Sequence, residues 1–105
     1  MSERNFDPGS LVHVTTLEDI ENLSENTEGI LVLGLTDEKL LAVAKHLPQL
    51  RYLIADGNTQ VTDGGLQNLE RFSRLENLDL EWSKVTDGGL PTIAALKSLR
   101  GCRLL

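Results

Sequence analysis

The chain has 105 residues, a length that fits one domain, and 40% of them are apolar while only four are aromatic, so its core must be built mainly from Leu, Val, Ile and Ala. A formal net charge of −6 disfavours nucleic acid and anionic membrane as partners and favours neutral or basic ones; the plainer use of such a surface is solubility. The single cysteine, Cys102, excludes an internal disulfide, and no apolar stretch is long enough for a signal peptide or a membrane span.

A reducing, cytoplasmic setting is therefore expected. Asn22-Leu23-Ser24 fits the glycosylation pattern but has no consequence in that setting. Residues 1–10 read as a flexible start, with turn chemistry at Asp7-Pro8-Gly9-Ser10. Leu11-Val12-His13-Val14 reads as a short strand. Thr16 can cap the helix that follows, with Asp19 three residues on in a box-like arrangement and Leu17, Ile20 and Leu23 on one face. Residues 11–28 are shorter than the later units and are expected to cap the apolar end of a stack.

The stack is predicted from two near-copies, LRYLIADGNTQVTDGGLQNLERF (Leu50 to Phe72) and LENLDLEWSKVTDGGLPTIAAL (Leu75 to Leu96). A unit this thin cannot bury its own apolar face and must lie against its neighbours. An earlier unit starts at Gly29-Ile30-Leu31-Val32-Leu33, and Leu35-Thr36-Asp37 matches Val61-Thr62-Asp63 and Val85-Thr86-Asp87. Helix contacts recur after each Asp: Leu40, Leu66, Leu90, then Val43, Leu69, Ile93. Pro48 stops the first of these helices, and Pro91 sits in the first turn of the last. The units span 29–49, 50–74 and 75–98, and 99–105 form a final strand. In each Thr-Asp pair, either side chain can accept a first-turn N–H, and Asp also suits the helix dipole. The Gly-Gly that follows in two units permits tight or positive-φ backbone.

Within the strands Leu50, Leu53 and Ala55 align with Leu75, Leu78 and Leu80, then with Leu99, Cys102 and Leu104. Alternation sends Tyr52, Ile54 and Asp56, then Asn77, Asp79 and Glu81, then Gly101 and Arg103, to the opposite face. About five parallel strands ~4.8 Å apart would make a face only ~20 Å across.

Leu-x-x-Leu-x-Leu-x-x-Asn/Ser followed by Val-Thr-Asp-x-Gly-Leu resembles the leucine-rich repeat. The Thr-Asp-Gly-Gly-Leu signature is similar to the ribonuclease-inhibitor-like and bacterial subclass with α-helices on its convex side. The resemblance covers Leu50 to Leu104 strongly and Ile30 to Leu47 more loosely; Asn58 stands at the loop-ordering Asn position and Ser83 replaces it in the next unit. It implies an α/β fold, a short right-handed solenoid with parallel strands on the concave face and helices on the convex face. It also implies a protein-binding surface, since most members of that family bind other proteins.

No residue pattern points to an enzyme, metal or cofactor. A phosphate cradle at Gly-Gly would be repelled by Asp63 and Asp87, and no P-loop Lys follows. Asp56 to Gln60 lacks the central Gly and closing Glu of a calcium loop. His13 and His46 have no ligand at zinc spacing. Cys102 has no evident base and occupies a Leu position, which reads as a small core residue. Asp79 and Glu81 share a face, better read as solvated than as a catalytic pair.

Trp82, the only Trp, lies just past a strand where the preceding unit has Gly57. It reads equally as a binding hot spot or as a rim-packing residue. The expected partner surface is Tyr52, Ile54, Asp56, Asn77, Asp79, Glu81 and Trp82, taking a protein with basic groups around an apolar anchor. The competing expectation is structural: with no cap after it, the last strand invites homodimer formation through Arg103, Leu104 and Leu105.

Overall fold

The computed structural model describes residues 11–57, 59–80 and 83–103, without the side chain of Arg103. The expectations resting on residues 1–10, Asn58, Glu81, Trp82, Leu104 and Leu105 lie outside the described residues. Five strands alternate with helical segments: β1 (Val12–Val14), α1 (Leu17–Glu21), β2 (Gly29–Leu33), α2 (Asp37–His46), β3 (Tyr52–Asp56), a 3-10 helix (Gly65–Arg71), β4 (Asn77–Asp79), a 3-10 turn (Asp87–Gly89) leading into α3 (Leu90–Ala94), and β5 (Gly101–Arg103). All the strands pair in parallel in the order β1-β2-β3-β4-β5. Leu53, Leu78 and Cys102 stand in one register, as their spacing predicts.

Local sequence accounts for the helices. The Thr16 hydroxyl accepts from Asp19 N at 3.1 Å, while Asp19 Oδ2 accepts the N–H groups of Thr16 and Thr15, both at 3.0 Å. This is the reciprocal box expected there. Those backbone donors, Thr16 first, hold the Asp19 carboxyl below its ordinary value of 3.8. In α2, Thr36 accepts from Lys39 N at 3.1 Å, with Asp37 and Glu38 in the first turn and Lys45 and His46 in the last. His46 Nε2 donates to Leu23 O at 2.7 Å and ties the end of α2 to the preceding unit. The third helical segment is 3-10 rather than α. Its buried residues Leu66 and Leu69, with Phe72 just beyond, recur every third residue, which is the 3-10 period.

Asp37 and Asp87 stand in a first turn, as expected, but the caps and the glycines work differently from the expectation. Thr, not Asp, caps its own segment at Thr36 and Thr86. Asp37 instead reaches the next unit, where its Oδ1 accepts Thr62 N at 2.9 Å and its Oδ2 accepts the Thr62 hydroxyl at 2.7 Å. Asp63 repeats this on Thr86, with the backbone N–H at 2.7 Å and a short hydroxyl bond to Oδ2. The Thr86 hydroxyl first, and its N–H second, hold the Asp63 carboxyl below 3.8. The carboxylates also explain the glycines. A Cβ on Gly65 would overlap the Asp37 carboxylate, and one on Gly89 would fall 2.7 Å from Asp63 Oδ1 and 2.6 Å from Leu66 Cδ1. Neither Gly has positive φ; that conformation occurs at Gly34 and Gly57, each directly after a strand. The second Gly of each pair is there for space.

The core lies between the sheet and the helices, formed by Ile30, Val32, Leu53, Leu78 and Leu80 against Leu40, Val43, Leu66 and Leu69. It thins toward the last unit. Leu40 and Leu66 are 0% exposed, but Leu90, at the same position of the pattern, is 46% exposed. Ile93, Leu96 and Leu99 pack only partly against the core, and α3 has no buried residue. Cys102, expected as a small core residue, is exposed. It stands in register with Leu78, which is buried.

Candidate functional site

The strand residues that point away from the core form a ruled surface. One row runs Gly29, Tyr52, Asn77, Gly101; the next runs His13, Leu31, Ile54, Asp79; a third contains Leu33 and Asp56. His13, Leu33 and Asp56 are exposed, and Leu31, Ile54, Asn77 and Asp79 are half-buried. Parallel pairing at successive strands thus places the apolar Leu31, Leu33 and Ile54 side by side. The acidic Asp56 and Asp79 border them. Asp56 Oδ1 accepts Gly57 N at 2.8 Å, which orients the carboxylate at the strand end.

Of the expected partner residues, the structure therefore brings Ile54, Asp56, Asn77 and Asp79 onto one face. Tyr52 is the exception. It occupies the predicted row but is only 5% exposed, so it offers almost no area to a partner. The opposite position is Gly29, whose missing side chain leaves a slot. Leu11 and the Tyr52 ring close over it, within 2.8 and 3.1 Å of where a Gly29 Cβ would stand. The Arg51 guanidinium lies 5.6 Å from the ring centroid and covers it further. Glu81 and Trp82, and the association residues Leu104 and Leu105, lie outside the described residues; Arg103 is placed in β5 by its backbone.

Sequence reasoning missed Leu31, Leu33 and His13 as members of this face. The signal was present in Gly29-Ile30-Leu31-Val32-Leu33, which is apolar at every position. A strand apolar on both sides supplies one row to the core and a second to the other face. A charge pattern was missed as well. Glu28, Arg51, Glu76 and Arg100 each stand one residue before a register-aligned row, and they alternate in sign. Arg51 lies 2.5 Å from Glu76 and 3.7 Å from Glu28.

Cys102 is chemically quiet. Partial burial, and then the charge of Asp79, push its thiol above the ordinary value of 9.0, so it is overwhelmingly protonated at neutral pH. Among the described residues no group of three or more His, Cys, Asp or Glu is placed to hold a metal ion. No helix there is long and apolar enough to cross a membrane. No protein-family model matches the chain, and no solved structure matches it. The class defined by the structure is a small α/β protein with a five-stranded parallel sheet.

Proposed function

We propose that the chain is a short, right-handed leucine-rich-repeat solenoid and a non-enzymatic protein-binding module, an adaptor or inhibitor that takes its partner on the strand face. The parallel sheet, with each strand beside the next one in sequence, and the in-phase Leu positions support the architecture. The observation that carries the binding reading is the apolar group Leu31, Leu33 and Ile54 on the face away from the core, with Leu33 43% exposed and Asp56 beside it. Apolar area with an acidic border fits a partner offering an apolar anchor among basic groups. Glu81 and Trp82, which lie outside the described residues, belong to the proposed surface on the sequence pattern alone. A cytoplasmic setting belongs to the same proposal.

The test is affinity capture from a lysate of the source cell with three baits: wild type, Leu33→Asp/Asp56→Lys, and Trp82→Ala/Asp79→Lys. A partner held by wild type and weakened by about tenfold or more in either variant supports the reading. A partner held equally by all three removes the strand face as its site.

A second reading, a structural subunit that associates through β5, is favoured by a different observation. Leu90 and Cys102 occupy positions that are buried in the preceding units, and both are exposed at the β5 end.

A further inference from the structure

Charge is divided between the two ends of the sheet. Residues 11–28 contain Glu18, Asp19, Glu21, Glu25 and Glu28 and no Lys or Arg, and all five acidic residues are exposed. At the other end Arg74, Lys97 and Arg100 line one recess together with Glu76. Glu76 is already engaged by Arg51 at 2.5 Å. The three cations have no ion pair among the described residues.

Glu21, Glu25 and Glu28, from the end of α1 to the start of β2, lie on the same rim as the three cations, whereas Glu18 and Asp19 stand in the first turn of α1 at the opposite rim. Because the strands are parallel, each begins at one rim of the sheet. Glu25 and Glu28 stand between α1 and β2, Arg74 between the 3-10 helix Gly65–Arg71 and β4, and Lys97 and Arg100 between α3 and β5. Both edges of the sheet also show unfinished packing. Val12 is 42% exposed although its register partner Ile30 is fully buried, and Leu90 and Cys102 are exposed at the β5 end.

We propose that the occupant of the β5 edge is the β1 edge of a second copy of this chain, arranged head to tail. This rests on the reading of β5 as an association edge. A parallel docking of β5 on a neighbour's β1 brings rim to rim, so Arg74, Lys97 and Arg100 meet the neighbour's Glu21 and Glu25 region. Two-fold alternatives lack this match. An antiparallel β5–β5 pair sets the basic rim against the opposite rim, and a two-fold pair with parallel strands sets the three cations against their own copies. Head-to-tail contact leaves a free end on each copy, so growth does not stop at a dimer.

Light-scattering mass of the full chain across a concentration series, at low and high salt, reads this directly. The mass is expected to rise past that of a dimer at low salt and to fall with added salt. Lys97→Glu/Arg100→Glu and Glu21→Lys/Glu25→Lys change surface positions, and circular dichroism checks that each variant folds. Each alone is expected to weaken association by about tenfold or more through like-charge contact. An equimolar mixture of the two is expected to restore it, since each variant then meets an end of opposite charge. A monomer at every concentration overturns the association reading itself. Assembly that stops at a dimer and ignores the Glu21/Glu25 variant overturns the head-to-tail arrangement and leaves β5 pairing with β5.

Discussion

At Gly65 the constraint is space, and it comes from another unit. Asp37 crosses to Thr62 and takes both its N–H and its hydroxyl, so its carboxylate rests where a Gly65 side chain would begin. Gly64, one residue earlier, is open: a Cβ there would meet nothing closer than Thr62 Oγ1 at 3.7 Å. The two glycines should therefore respond oppositely. Gly65→Ala is expected to cost about 1–3 kcal/mol as an overpacked substitution. Gly64→Ala is expected to be neutral or to stabilise by up to about 1 kcal/mol, by lowering the entropy of the unfolded chain. Urea unfolding of both variants makes the comparison. Part of the Gly65→Ala cost should vanish in an Asp37→Ala background, because the obstructing carboxylate is then gone. Equal effects at the two glycines would show that the Asp37 carboxylate does not set the limit.

Between elements, the strand starts are joined by backbone and side chain together. Glu28 O accepts the N–H groups of Arg51 and Tyr52 at 2.9 and 3.0 Å, Arg51 O accepts those of Glu76 and Asn77 at 2.8 and 3.1 Å, and Glu76 O accepts those of Arg100 and Gly101 at 2.7 and 3.0 Å. Arg51 adds its guanidinium, bonded through both Nε and an Nη to Glu76 Oε2. The Arg51 and Glu76 side chains are 15% and 20% exposed, whereas Glu28 is 52% exposed and 3.7 Å away. The Glu76 contact is thus partly desolvated and the Glu28 contact is a surface pair. Arg51→Ala is expected to cost about 2 kcal/mol, between the surface and buried limits, since it leaves Glu76 without its cation. Glu28→Ala should cost less than about 0.5 kcal/mol. Denaturant midpoints decide the order, and a Glu28 loss as large as the Arg51 loss would contradict it.

For the whole molecule, the core is a gradient rather than a uniform layer. Leu69 is 0% exposed between α2 and the last unit, while Leu90 is 46% exposed. Leu69→Ala is expected to cost about 2–5 kcal/mol through lost burial and a residual cavity. Leu90→Ala is expected to cost less than about 1 kcal/mol in the monomer. Thermal unfolding at low protein concentration compares them. Similar losses would mean that Leu90 is covered in solution. The same gradient leaves Leu90 and Cys102 exposed at the β5 end.

The sequence by itself determined the elements that depend on near neighbours along the chain. The Thr16–Asp19 box, the 10-residue α2 with its stop before Pro48, the five parallel strands and their register follow from capping chemistry and from apolar periods. Alternation also assigned Ile54, Asp56, Asn77 and Asp79 to one side of the sheet. It could not say what lies over a side chain once its side is known. Tyr52 is buried because Gly29, more than twenty positions away, leaves a slot that Leu11 helps to close. Asp37 and Asp63 bond forward across units because the next Thr lies within reach only after stacking. Leu90 and Cys102 match the repeat as well as Leu66 and Leu78 do, yet they are exposed because burial requires a neighbouring layer. Periodicity fixes direction along one chain segment; only tertiary packing fixes whether that direction ends in protein or in water.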